Sequence, residues 1–326
     1  MKTLVYIHQF IEQTNGHSIV DTRLIEQLSD QKNISFISLQ YDNKNKEIIN
    51  SIDINEIDKN DSIIILSHFN TFRLARHFKK SKIVYINHDL PYYAYLISLN
   101  PVNFLKAIYS WSYIKYFWRY SDFNFFVSKY ELEKSRCSLQ KSASIRIGTK
   151  PIDNIPQFKS LQPKAVFTGN YKWSLKAKSL QHVFKTSYTG SLELIAINVD
   201  EKFKEITSSF NIPINYFNAL PKSTGIMLGV ITDNFLSGFK LKALELIGMG
   251  CCVVSFADIS NEFDDVEYSD LFIRKVKSLN ELDSVYSELQ KDKSVAEKFS
   301  FFYDDVCAKF NWSETADKII SVIKSF

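Results

Sequence analysis

Short apolar runs recur along this chain with helix-like stretches between them, and that alternation restricts the fold more than any other feature. A strand covered on both faces reads as a continuous apolar run, and parallel neighbours need a crossover, usually helical, to connect them. In the first half such runs fall at residues 4–8, 34–39, 63–67, 83–87 and 123–128. Helix patterns lie between them at 18–29, 71–80, 104–119 and 129–137, and residues 143–148 close this half. A second series follows at 165–168, 192–198, 214–218, 226–231, 251–256 and 271–273, with helices expected at 175–185, 201–210 and 239–249. Residues 149–163 hold three of the seven prolines and show no periodicity, so they read as a linker between two similarly built α/β domains.

A length of 326 residues suits two domains, and 45% hydrophobic with 23% charged residues describes a folded globular chain. No apolar run is long enough to span a membrane, and the N-terminal run at 4–7 is too short for a signal peptide. Cys137, Cys251, Cys252 and Cys307 have no metal-ligand spacing, so neither a metal nor a cofactor is implied. The adjacent pair sits in an apolar run where thiols act as small hydrophobes, and a reducing cytoplasm is the expected location. A net charge of +4 without any nucleic-acid motif argues against a nucleic-acid partner.

The stretch from Gly238 to Ser255 carries the chemistry. A glycine turn leads into a helix with Lys240, Lys242 and Glu245 near its start, and Gly250 returns the chain to an apolar strand. Backbone N–H groups at a helix start attract anions, a lysine adds full charge, and a carboxylate one turn on can accept hydroxyl hydrogen bonds. A sugar nucleotide offers all three partners. Ordinary α/β scaffold also contains helices flanked by glycines in this way.

The segment resembles the donor-site helix of GT-B glycosyltransferases, in particular the retaining family 4 group. Lys242, Glu245 and Gly250 fall on that family's Lys, Glu and Gly, while Cys252 replaces its proline. The run Val166 to Ser174, with Gly169, resembles the family's first C-terminal-domain strand and glycine turn, although Leu175 and Lys176 stand where Pro-Asn is usual. Phe310-Asn311-Trp312-Ser313 resembles the start of a last helix that crosses back to the first domain. The resemblance implies two Rossmann-like doubly wound domains facing a cleft. It divides the chain into an acceptor-side domain at 1–150, a nucleotide-sugar domain at 151–308 and a returning helix at 309–326.

It also implies roles. His88 and Asp89, directly after the run at 83–87, fall where the family lines its reaction centre, with Lys242 stabilising the departing diphosphate. Gly16, Gly169, Lys172, Gly238, Phe239, Lys240 and Glu245 would bind the donor, Glu245 through ribose hydroxyls. Gly16 is either a point of close backbone approach or a loop residue ahead of a Ser18 cap. His68 reads equally as a surface histidine. Ser237 occupies a position where the family often has a second glutamate.

The activity implied is transfer from a nucleoside-diphosphate sugar to a glycan or lipid-linked acceptor, as in lipopolysaccharide or capsule synthesis, with retention. An inverting enzyme using Asp89 as base and a catalytically silent scaffold are the alternatives. Residues 100–121 lack acids and interleave Lys106, Lys115 and Arg119 with eight aromatics. They read either as a helix against an anionic membrane surface, making the protein peripheral on the inner face of the plasma membrane, or as a core helix.

Overall fold

The computed structural model describes residues 3–9, 16–31, 34–49, 57, 61–90, 92, 96, 101–149, 158–218 and 225–326. Thr14 and Asn15 of the expected glycine loop, and positions 150–157 of the expected linker, lie outside these. The chain forms two compact units. The first is Met1–Gly148 together with Ser237–Phe239 and Phe310–Phe326; the second is Thr149–Leu236 with Lys240–Lys309.

In the first unit the strands are β1 (Thr3–Gln9), β2 (Ser35–Asp42), β3 (Glu47–Ile48), β4 (Ser62–Ser67), β5 (Lys82–Asn87), β6 (Phe123–Phe126) and β7 (Ser142–Ser144). They form one sheet in the order β3-β2-β1-β4-β5-β6-β7, parallel except for the short edge strand β3. Helices α1 (Gly16–Ser29), α2 (Pro101–Tyr120) and α3 (Lys129–Ser135) connect the strands, with a 3₁₀ helix at Phe69–Phe78 where a regular helix was expected. His68 before that helix has φ 77°, and its ring accepts from the Asn70 N–H, tightening the first turn. Helix α1 begins two residues ahead of Ser18, the expected cap.

The second unit has β8 (Ser160–Gly169), β9 (Glu193–Val199), β10 (Ile214–Phe217), β11 (Gly225–Ile231), β12 (Cys251–Ser255) and β13 (Ile273–Lys275). Its helices are α4 (Ser174–Phe184), α5 (Glu201–Ser208), α6 (Leu241–Gly248), α7 (Ser269–Phe272), α8 (Glu281–Lys291) and α9 (Val295–Lys309). The sheet is wholly parallel in the order β10-β9-β8-β11-β12-β13, a doubly wound arrangement whose order reverses between β8 and β11. Strand β8 starts inside the expected linker, and Pro163, which has no N–H to give, coincides with the shift in register against β11 between Ile226 and Leu228. The strand expected at 271–273 begins only at Ile273, because Leu271 and Phe272 finish α7.

Every residue of β11 is buried, as are all five of β12, which explains their unbroken apolar sequence. Gly229 lets α6 sit close on them. A Cβ there would stand 2.9 Å from the Cβ atoms of Leu246 and Cys251. The last helix, α10 (Trp312–Lys324), packs on α1, and the Thr315 hydroxyl donates to the Arg146 carbonyl.

Candidate functional site

In doubly wound sheets, ligand sites form outside the carboxyl ends of the strands where the order reverses. In the second unit those ends are Gly169 of β8 and Asp233, two residues beyond β11. Gly169 has φ +106°, and an added Cβ would stand 2.3 Å from Lys242 Cε and 2.8 Å from its Nζ, so the glycine makes room for that side chain. Lys242 Nζ lies 4.3 Å from the centroid of the buried Tyr171 ring. Tyr171 is fixed by its N–H to Asp200 (2.7 Å) and by the Thr232 hydroxyl on its phenol oxygen (3.1 Å).

Three cations face one buried acid. Lys240 Nζ is 3.2 Å from Asp233 Oδ2, and Lys240 also lies over Phe235. Burial pushes the Asp233 carboxyl up, and Lys240, Lys242 and Lys176 together hold it below its ordinary value. Lys176, in the first turn of α4, is drawn down to about 8 by burial, with Lys242 and Lys240 adding repulsion against the pull of Asp233. Burial likewise lowers Lys242, opposed by Asp233, Glu245 and Asp200. Neither Lys242 Nζ nor Asp233 Oδ1 has a hydrogen-bond partner among the described residues. No side chain caps α6, so its first N–H groups add their partial charge to this corner. Glu245 is on the exposed surface of the same helix; partial desolvation by neighbouring atoms raises the carboxyl and Lys242 draws it back.

The first unit gathers a different cluster. Asp21 of α1 accepts from Tyr6 (2.7 Å) and from Ser67, and stands 3.3 Å from His88 Nε2; Ser67 also contacts His88. Burial pushes the Asp21 carboxyl up, but His88, Ser67 and Tyr6 outweigh it and hold it at about 2. Asp89 is half-buried beside this pair. The Glu131 carboxylate, in α3, accepts the N–H groups of Leu90 (3.0 Å) and Gly238 (2.8 Å). Gly238 has φ +60°, and a Cβ on it would lie 2.7 Å from the His88 carbonyl oxygen. Phe239 stacks obliquely on Phe310.

Of the residues expected at a donor site, Gly169, Lys240 and Lys242 converge, with Glu245 a turn further along α6. Gly238 sits beside the His88–Asp89 strand end. Lys172 is exposed, its backbone N–H on the Asn170 side chain, and Lys176 instead faces Asp233. Gly16 opens α1. Sequence reasoning missed Lys176, Asp233, Asp21 and Glu131. The position of Asp233 just past the fully apolar run of β11 was the signal available for it.

No protein-family model matches the chain, and no curated protein matches it in sequence. Solved structures do resemble it. Sucrose-phosphate synthase from Thermosynechococcus elongatus matches with TM-score 0.67 at 12% identity, over 100% of this chain and 99% of that one. Anabaena HepE in complex with UDP matches with TM-score 0.63 at 10% identity, over 99% and 100%. The lipopolysaccharide outer core galactosyltransferase WaaB matches with TM-score 0.62 at 12% identity, over 99% and 100%. These are GT-B glycosyltransferases. At such identities the likeness shows the fold, and the chain has the GT-B type of fold, with two Rossmann-like units.

Proposed function

We propose that this protein is a glycosyltransferase that moves a sugar from a nucleoside-diphosphate sugar to a glycan or lipid-linked acceptor in surface polysaccharide synthesis, with retention at the anomeric carbon. The observation that carries the reading is the meeting of Lys176, Lys240 and Lys242 at the buried Asp233, beside the uncapped start of α6, with Asp200 and Glu245 also within electrostatic reach. Lys242 Nζ is buried there without a hydrogen-bond partner among the described residues, although Asp233, Glu245 and Asp200 lie within electrostatic reach, and the phosphate oxygens of a diphosphate would accept from it. That HepE was crystallised with UDP and with UDP-glucose supports the same class of donor.

In this reading the cations stabilise the charge that develops on the leaving diphosphate, with Lys242 closest to the Gly169 turn. Glu245 accepts from ribose hydroxyls. His88, held by Asp21 and Ser67, orients the donor sugar, and Asp89 stands beside it. Retention needs no strong base, because the acceptor attacks on the face from which the diphosphate departs. An inverting reaction with Asp89 as base is the second reading, favoured by the half-buried Asp89 carboxyl next to His88.

A panel of sugar nucleotides tests the proposal by thermal shift and by release of nucleoside diphosphate. Selective stabilisation by one nucleotide with turnover of its sugar conjugate is expected, and the anomeric configuration of the product separates retention from inversion. Nucleotide binding with no turnover of any donor on any glycan acceptor would reduce the protein to a silent scaffold, and no binding would remove the donor site altogether.

A further inference from the structure

Between Asp61 and Asp122 the sequence contains a single acid, Asp89, against eight lysines and arginines. Two elements of the first unit carry most of that charge. Arg73, Arg76, Lys79 and Lys80 are exposed on or just after the 3₁₀ helix at Phe69–Phe78, and Lys106 and Arg119 are exposed on α2, with Lys115 half-buried. The elements are packed together through Phe72, which stacks on Phe117 and meets Tyr116 and Tyr120 edge-on.

Helix α2 is apolar on both sides, and only one side is used by the core. Ala107, Ile114, Phe117 and Trp118 are buried. On the opposite side Phe104, Leu105, Ile108, Tyr109 and Tyr116 are between 48% and 67% exposed. Half of the exposed large hydrophobics among the described residues lie on this one helix, a concentration well beyond the scattered single residues of an ordinary surface. Trp111 is exposed with Lys115 Nζ 3.8 Å from its ring centroid, so an aromatic and a cation are presented together.

From this we infer that the outer face of α2, with the adjoining basic 3₁₀ helix, docks on an anionic bilayer surface, the helix lying in the headgroup region. Aliphatic side chains and ring faces would enter the acyl boundary, tyrosine and tryptophan would sit at headgroup level, and the cations would meet lipid phosphates. No helix among the described residues is long and apolar enough to cross a membrane, so the attachment is interfacial. Charge complementarity selects the bilayer over a second copy of the chain, since two such faces brought together would oppose cation to cation. The inference rests on α2 and its neighbour alone, independently of the transferase reading.

Co-sedimentation of the full chain with vesicles tests it, comparing pure phosphatidylcholine with an equal mixture of phosphatidylcholine and phosphatidylglycerol. Each surface cation contributes roughly fivefold to partition onto an anionic membrane, so binding should be strong on the mixed vesicles, weak on neutral ones, and reduced by high salt. Lys115→Glu with Arg119→Glu should lower partition by at least about tenfold. Leu105→Ser with Tyr109→Ser, at the two most exposed apolar positions of the helix, should do the same through lost insertion, each pair leaving the melting temperature unchanged. Should the charge pair destabilise the fold, the serine pair decides alone. Absence of parental binding to anionic vesicles, binding unaltered by variants that stay folded, or a parental dimer that the serine pair dissolves would each overturn the inference.

Discussion

Replacing Lys242 by methionine separates what the ammonium does for the fold from what it does for a bound anion, because the two effects have opposite signs. In the free protein Nζ is buried, with no hydrogen-bond partner among the described residues, and burial lowers its pKa. An unpartnered buried donor costs about 1–3 kcal/mol, while a desolvated cation–π contact such as that with Tyr171 returns about 0.5–2 kcal/mol. The net is a cost on the order of 1 kcal/mol. Methionine keeps much of the stem and adapts to irregular space, so Lys242→Met should raise the melting temperature of the free protein by about 2–4 °C. With UDP the order should reverse. Loss of a charge-assisted contact weakens binding by about 1.5–3 kcal/mol, tenfold or more. At a UDP concentration of about 100 parental dissociation constants, the parent gains about 2.7 kcal/mol and a variant tenfold weaker about 1.4 kcal/mol. Scanning fluorimetry with and without UDP, together with calorimetric titration, reads both halves. A variant that melts below the parent in the absence of nucleotide refutes the claim that the charge is held at a cost, and equal UDP affinity removes Lys242 from the site.

Glu245→Ala should weaken UDP binding by about 1.5–3 kcal/mol without lowering the melting temperature, since the side chain is exposed; unchanged calorimetric affinity would exclude the ribose role. Lys176, drawn down to about 8, loses its proton as pH rises through that value, so UDP affinity should fall across pH 7–9 and Lys176→Gln should flatten the profile; a parental profile that is flat over this range would exclude Lys176 from the anion contacts. Asp21, held at about 2 in the folded chain against about 3.9 unfolded, contributes stability that is complete above pH ~4 and disappears as pH falls through ~2. Asp21→Asn should therefore cost about 3 kcal/mol at neutral pH, a fall of about 6–12 °C in melting temperature, and a shift within a degree of the parent would show that the Tyr6–Ser67–His88 contacts do not depend on the charge.

The parallel strands were legible because burial on both faces leaves nothing polar along them: β11, GIMLGVI, allows no reading but a covered strand. The helix start with its lysines was legible for a local reason as well, since Gly238, Lys240, Lys242 and Glu245 lie within a few residues of one another. What escaped notice depends on convergence. Asp233 and Lys176 are far apart in sequence and meet only because β8 and β11 are neighbours, an order that no local pattern states. The 3₁₀ helix at Phe69–Phe78 has a helical apolar period and differs from an α-helix in its hydrogen bonding, which the apolar period does not report. Helix α2 looked apolar nearly all round, leaving core and interface as rival readings. The structure gives it one face of each kind: a buried stripe and an exposed apolar side.

The two buried polar clusters differ in a way that assigns them different work. Asp21 has the hydroxyls of Tyr6 and Ser67 and the His88 ring within reach of one oxygen, Ser67 at the end of β4 and His88 just past β5. Hydrogen bonds that tie several elements to one carboxylate rigidify their surroundings. The Asp21 cluster therefore suits holding the His88–Asp89 strand end in one orientation. The Asp233 cluster brings together three cations, with an ammonium and a carboxylate oxygen that have no hydrogen-bond partners among the described residues and the uncapped start of α6 beside them. A buried ammonium without a hydrogen-bond partner lowers stability unless something accepts from it, and an anion with several acceptor oxygens would do so. If a diphosphate binds there as proposed, substitutions in this cluster should alter nucleotide affinity more than folding, and those around Asp21 the opposite.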